Sequence, residues 1–192
     1  MLEMTPPSSV RWWCHLLVAR PNISAVCGLS MLLSSPYSVP AYVVELEAAY
    51  GAPSQVGFGS AVFYEAAIAA VDPEQAALEK YRYFVGDLWE RFGEATWMST
   101  WRLLYTRSDQ RHDIVSELQA IADRDARLSV PLIVDSDNQA APARPALAAA
   151  FDDETVSQLA VYILGDGAAL SGLLIAGRRD SGEAIFLILL LD

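Results

Sequence analysis

The sequence is poor in cysteine. Of its 192 residues only Cys14 and Cys27 are cysteines, and both lie within the first 30 positions. A disulfide framework therefore cannot hold the rest of the chain together, and stability there has to come from a hydrophobic core. Two isolated cysteines are typical of a reducing compartment, which predicts a cytoplasmic location. Neither cysteine belongs to a set with metal-ligand spacing, so we expect no metal and no cofactor.

Positive charge is also scarce. The chain has 13 Lys and Arg against 24 Asp and Glu, which gives a formal net charge of −11. This balance argues against nucleic-acid binding, because affinity for a duplex comes mainly from cations that neutralise phosphates. Residues 1–30 carry a net charge of +1, so residues 31–192 carry −12. Such an acidic surface predicts a basic protein partner, whose association it would speed.

Long apolar runs are absent, although 53% of the residues are hydrophobic and 19% are charged. This composition excludes a disordered chain. The apolar stretch at residues 12–19 ends at Arg20, and the stretch at residues 185–191 spans seven positions. A membrane-spanning helix needs about 20 apolar residues, so we expect no membrane association.

The composition changes near residue 30, where slightly basic sequence gives way to strongly acidic sequence. We therefore predict that residues 1–30 form a disordered extension and that Met31 is the natural start. Residues 31–192 are predicted to form a single α+β domain, a length that suits one domain.

The first half of this region has helical periodicity. Residues 41–50 are predicted to be helical because Pro40 precedes them and Gly51 follows. Residues 60–71 are predicted to form a second helix. Asp72 and Pro73 are typical of a helix start, and the apolar spacing that follows predicts about five turns, to Gly93. Phe92 is predicted to lie on the buried side of this helix, and Glu79 and Arg82 on its exposed side.

Two segments follow that helix. Residues 96–106 fit either a helix or a strand, and we favour the helix. Ser108 or Asp109 is then predicted to cap another helix, with a buried stripe of Ile114, Leu118 and Ile121.

The last third of the chain is predicted to form mainly β-strands. Residues 128–134 are β-branched and predict a strand, which Pro131 would confine to an edge or a bulge. Residues 146–151 predict a short helix. Three apolar runs then follow, at residues 159–164, 170–177 and 184–191, with turn-forming sequences between them.

These elements predict an α+β fold, in which N-terminal helices pack on a mainly antiparallel sheet of about four strands. The sheet ends in a C-terminal three-strand meander, and the run at residues 185–191 should be covered on both faces. The alternative is a small three-layer α/β domain built around a loop at Gly165.

That loop is one of two candidate ligand sites. Gly165, Asp166 and Gly167 follow a predicted strand, as in a dinucleotide-binding turn, where glycines let backbone amides approach phosphate. However, Leu170 stands where the third glycine should be, and a β-hairpin explains the pattern more simply.

The other candidate site is the segment that contains Asp109, His112 and Asp113. A histidine beside two carboxylates is suited to general-base chemistry. A charged first turn of a helix, with the histidine exposed, explains the same residues without any such role.

Aromatic residues are concentrated in residues 81–105, which hold eight of the 19 in the chain. Most fit a core, but Tyr83, Trp89 and Trp97 are predicted to lie off the buried stripe. Large aromatic side chains on a surface are typical of protein-binding sites, so these three are the candidate partner-binding residues.

Two classes of function remain open. The first is a non-enzymatic cytoplasmic protein-binding domain, of the regulator, adaptor or inhibitor/immunity type, whose acidic surface engages a basic partner. The second is a small-molecule or nucleotide-binding domain or enzyme that uses the Gly165–Gly167 loop or the His112 segment. We favour the first because no coherent catalytic set is present, and we assign no catalytic residue.

Overall fold

A computed structural model describes residues 39–67, 72–108, 112–135 and 142–192. The predictions for residues 1–30, for Met31 as the start and for Asp109 lie outside these ranges.

A five-stranded antiparallel sheet organises the fold. Its strands are β1 (Gly59–Glu65), β2 (Arg102–Thr106), β3 (Val156–Gly165), β4 (Ser171–Arg179) and β5 (Ala184–Leu191). Their order across the sheet is β1-β5-β4-β3-β2. Strands β3, β4 and β5 form the predicted C-terminal meander, and the α+β class is confirmed. The sheet has one strand more than the four predicted.

Seven helices are described: α1 (Ala41–Tyr50), α2 (Pro73–Val85), α3 (Asp87–Phe92), α4 (Glu94–Trp97), α5 (Ile114–Ala120), α6 (Ala126–Val134) and α7 (Ala143–Phe151). Local capping chemistry explains several boundaries. The Asp72 side chain accepts a hydrogen bond from the Glu74 backbone N–H, and Pro73 opens α2, as predicted. Gly51, with a φ of 95°, ends α1.

The sheet has a hydrophobic core on each face, because successive strand residues point to opposite sides. On β5, Ile185, Leu187 and Leu189 pack with α1, α5, α6 and α7. Phe186 and Ile188 pack with α2, α3 and α4 on the other face. As predicted, this strand is covered on both sides.

Residues 60–71 were predicted to be helical, and this is wrong for the part that forms β1. Ala61 and Phe63 face one core while Val62 faces the other, an alternation of period two. The strand pairs with β5 along its whole length. Pairing with that strongly apolar neighbour overrides the local pattern.

Residues 128–134 were predicted to be a strand, and they belong instead to helix α6. The buried positions recur at helical spacing, while Leu128 is 69% exposed. They are Ala126, Ser129, Val130, Ile133 and Val134. Pro131 lies inside this helix and faces solvent. The β-branched composition therefore misled the prediction, because burial follows the period of a helix.

Three further boundaries differ from the predictions. The long helix from residue 73 to residue 92 is interrupted by Gly86, whose φ of 61° separates α2 from α3. Helix α4 ends at Trp97, and the rest of residues 96–106 contains strand β2 rather than the favoured helix. Asp113, rather than Ser108 or Asp109, caps α5.

Candidate functional site

An acidic groove lies between α2, α3 and α4. Its lining includes four carboxylates, from Asp72, Glu74, Glu79 and Glu94, and its volume is about 490 Å³. Asp72 and Glu74 belong to the start of α2, and Glu94 begins α4. All four residues are exposed. We call this feature the acidic groove.

The cation in the groove lining, Arg82, is already engaged. Its Nη2 lies 2.5 Å from Glu90 Oε1, and its guanidinium carbon lies 5.9 Å from the centre of the Trp89 ring. Glu79 and Glu94 form no ion pair with another described residue. The groove therefore presents uncompensated negative charge to solvent.

Packed aromatic rings support the groove from below. Trp89 and Trp97 stack with their ring centres 6.4 Å apart, and Tyr81 meets Trp89 edge-on at 5.4 Å. The Trp97 indole N–H donates to the Leu88 carbonyl over 3.1 Å. Such aromatic packing contributes beyond its buried area and fixes ring positions. The groove therefore has a rigid base.

The candidate partner-binding aromatics differ in exposure. Tyr83 is 50% exposed, whereas Trp89 and Trp97 are 3% and 1% exposed. The expectation that the two tryptophans lie off the buried stripe is wrong. That expectation assumed one continuous helix, and the break at Gly86 means that a single helical periodicity does not apply. Phe92, which was predicted to be buried, is 55% exposed for the same reason.

Trp101 fixes the Glu74 carboxylate at one end of the groove. Its indole N–H donates to Glu74 Oε1 over 3.1 Å. The Trp101 ring stacks on Tyr162 with ring centres 4.7 Å apart and on Tyr81 at 5.8 Å. One groove carboxylate is therefore preorganised against an aromatic stack.

A second cavity adjoins Glu74, on the side of the sheet that packs against α2. It has a volume of about 300 Å³ and shares Asp72 and Glu74 with the acidic groove. Its other lining residues include Leu103, Tyr162 and Phe186. We call it the sheet cavity.

Tyr162 is the buried polar side chain of the sheet cavity. It is 4% exposed, and its hydroxyl makes no hydrogen bond with another described residue. Burial raises the pKa of Tyr162 to about 12, and the negative charges of Glu74 and Asp72 add to the effect. The electrostatic potential at this hydroxyl is therefore negative.

The segment that contains His112 and Asp113 caps the N-terminus of α5. Asp113 accepts hydrogen bonds from the Ser116 backbone N–H at 3.0 Å and from the Ser116 hydroxyl at 2.6 Å. These bonds lower the pKa of Asp113. His112 Nδ1 lies 3.1 Å from the Asp153 carbonyl oxygen. Both Asp113 oxygens thus accept capping hydrogen bonds, and no hydrogen bond joins Asp113 to His112 among the described residues.

The loop of Gly165, Asp166 and Gly167 joins β3 to β4 as a hairpin. Asp166 Oδ1 accepts from the backbone N–H groups of Ala168 at 2.8 Å and Leu170 at 2.9 Å. These donors are satisfied within the loop itself. The favoured hairpin is confirmed. The alternative, a dinucleotide-binding turn, would need a helix after the glycines, and β4 occupies that place.

Among the residues that the structure describes, no group of three or more His, Cys, Asp or Glu side chains is placed to hold a metal ion. None of the described helices combines the length and the apolarity needed to cross a bilayer.

No family model, no curated protein and no solved structure matches this chain. Its function is therefore argued from its own residues.

Part of the site was visible in the sequence. Glu79 and Arg82 were predicted to be exposed on α2, and both are. The capping role of Asp72 was also predicted. The contributions of Glu94 and Tyr162 were missed, because they reach the site from α4 and β3. The one available signal was the acidic character of the exposed side of α2.

Proposed function

We propose that this protein is a non-enzymatic protein-binding domain, of the regulator, adaptor or inhibitor type, that engages a basic partner. The observation that carries the proposal is the acidic groove, with four exposed carboxylates around a concave surface. Its cation is neutralised by Glu90. A cationic segment of a partner would find complementary charge there.

Electrostatics and rigidity both support this function. Negative charge concentrated in a cleft steers a basic partner and speeds its association. The aromatic base made by Trp89 and Trp97 keeps the groove in one shape, which lowers the entropic cost of binding. The buried tryptophans act in this proposal as supports beneath the groove rather than as contact residues.

The groove chemistry favours binding over catalysis. Among the described residues that line it there is no serine, cysteine, histidine or lysine. Catalysis by a serine, cysteine or lysine nucleophile is therefore not supported at the groove. The cytoplasmic location is part of the same proposal and rests on the scarcity of cysteine.

The test is the affinity for a fluorescein-labelled nona-arginine peptide, measured by fluorescence anisotropy. The Glu79→Gln/Glu94→Gln double variant should bind about fivefold more weakly, since each exposed ion pair contributes roughly 0.2–1 kcal/mol. Raising the salt concentration to about 0.5 M should weaken binding to the unmodified protein, because exposed charges are then screened.

The matched control is the Glu45→Gln/Glu154→Gln double variant, which removes two exposed carboxylates outside the groove lining. Its affinity should stay within about twofold of the unmodified protein, since the removed charges make no groove contact. Equal losses in the two variants would mean that overall charge, and not the groove, binds the peptide. An affinity for nona-arginine that does not change with salt concentration would also contradict the proposal.

A further inference from the structure

The sheet cavity carries an inference that goes beyond the proposed function. Its walls are mostly apolar, from residues such as Leu103, Ala160, Ala176 and Phe186. Its volume of about 300 Å³ is at the lower end of the range for small-ligand sites. A cavity of this kind accommodates a single small apolar group.

Polar groups are confined to a few places in the cavity. The Tyr162 side chain is almost completely buried, yet its hydroxyl lacks a partner among the described residues. In the part of the chain that the structure describes, no buried side-chain oxygen or nitrogen lacks a hydrogen-bond partner, so this unpaired hydroxyl is accessible to solvent. An accessible, unpaired hydroxyl on a cavity-lining residue is available to a ligand.

Charge at the cavity selects among ligands. The carboxylates of Glu74 and Asp72 line it, and both contribute negative potential at Tyr162. Arg178 also lines the cavity and pairs with no described carboxylate, so the lining carries two carboxylates against one guanidinium. A cation is thus favoured over an anion in the cavity.

We propose that the sheet cavity binds an organic cation, namely an apolar group that carries an ammonium or guanidinium. The apolar part would occupy the space beside Ala160 and Phe186. The cationic part would donate hydrogen bonds to the Tyr162 hydroxyl and to the Glu74 carboxylate, which Trp101 already holds in place. The same chemistry is offered by a free amine and by an arginine or lysine side chain of a partner.

The test is an NMR titration of the full chain with three probes of matching shape: benzylammonium, benzyl alcohol and benzoate. Benzylammonium should bind at least about fivefold more tightly than benzyl alcohol, as expected for a roughly 1 kcal/mol charge contribution. Benzoate should bind most weakly. Tighter binding of benzoate, or no saturable binding of benzylammonium, would overturn the inference.

Variants locate the binding. Glu74→Gln should remove the preference for benzylammonium over benzyl alcohol, and Ala160→Leu should abolish binding of both by filling the cavity. Glu45→Gln is the matched control, since Glu45 is an exposed carboxylate of α1 that lies outside both the cavity lining and the groove lining, and it should leave both affinities unchanged. Because Glu74 is exposed, its variant should fold even if Ala160→Leu does not. Unchanged preference in Glu74→Gln would overturn the inference.

Competition separates the two sources of the cation. If nona-arginine displaces benzylammonium, the cavity receives a side chain of a basic partner. If it does not, the cavity receives a free amine. The competition is run in the Glu79→Gln/Glu94→Gln variant, which keeps the cavity lining intact and weakens peptide binding at the groove, so that displacement reports on the cavity rather than on the groove.

Discussion

At the scale of single residues, one hydrogen bond ties the edge strand β1 to the turn between β4 and β5. The Tyr64 hydroxyl donates to Glu183 Oε1 over 2.6 Å, and the Ser181 hydroxyl donates to Glu183 Oε2 over 2.8 Å. These two bonds lower the pKa of Glu183, with burial opposing and Arg179 assisting. Burial and the carboxylate together raise the pKa of Tyr64.

Tyr64→Phe should therefore destabilise the protein by about 1 kcal/mol at pH 7, since it removes a bond to an ionised group that is partly screened by solvent. The pKa of Glu183 is lower in the folded protein than in the unfolded chain, where it is about 4.3. The ionised carboxylate therefore stabilises the fold at pH values above the unfolded pKa, and this stabilisation is lost as the pH falls through the folded pKa. Urea unfolding of both proteins at pH 7 and near pH 3 measures the difference.

The matched control is Tyr83→Phe. Tyr83 is half-exposed, and its hydroxyl makes no hydrogen bond with the described residues. Its variant should change the free energy of unfolding by no more than about 0.5 kcal/mol at either pH. A Tyr64→Phe loss that is as large near pH 3 as at pH 7 would show that the carboxylate is not its source.

At the scale of elements, local capping and turn chemistry was predictable from the sequence, but the class of short apolar segments was not. The start of α2 at Asp72 and Pro73 was predicted because capping involves only neighbouring residues. The turns of the C-terminal meander were predicted for the same reason. Strand β1 and helix α6 were assigned to the wrong classes. Each is a short apolar segment. Such segments fit both helical and strand periodicity until the segments that pack against them are known.

Gly172 shows how closely β4 and β5 approach. A Cβ at this position would lie 1.9 Å from the Leu189 carbonyl oxygen. Gly172→Ala should therefore destabilise the protein by about 3 kcal/mol or more, because the sheet backbone would have to move. Thermal unfolding followed by circular dichroism measures this loss.

Ser171→Ala is the control for that change, since Ser171 is the adjacent residue of β4 and already carries a Cβ. We expect it to cost at most about 0.5 kcal/mol. If Gly172→Ala unfolded at the same temperature as Ser171→Ala, the close approach of the two strands would be contradicted.

At the scale of the whole molecule, the sheet joins two cores that share its strands. Leu189 belongs to the core with α1, α5, α6 and α7, and is 6% exposed. Leu189→Asp should unfold the protein, because a buried unpaired charge costs several kcal/mol. Leu128→Asp, at a position that is 69% exposed on α6, should leave the melting temperature within a few degrees. A folded Leu189→Asp variant of unchanged melting temperature would refute this placement of β5.

The candidate site is also a property of the whole fold. The acidity of the chain was evident from its composition, and it predicted the sign of the partner's charge. The groove itself was not predictable, because Gly86 redirects the chain after α2 and so brings Glu94 opposite Glu79. The sheet cavity depends in the same way on contacts between distant segments, such as the stacking of Trp101 on Tyr162.

Amide shift mapping tests directly whether the acidic groove binds a basic segment. Titration of ¹⁵N-labelled protein with nona-arginine should give its largest shift changes along the exposed side of α2 and at Glu94, together with the Trp89 indole. Glu45 on α1 should change little. Shift changes that are centred on the Gly165–Gly167 loop or on His112, or that are spread evenly over the surface, would contradict binding in the acidic groove.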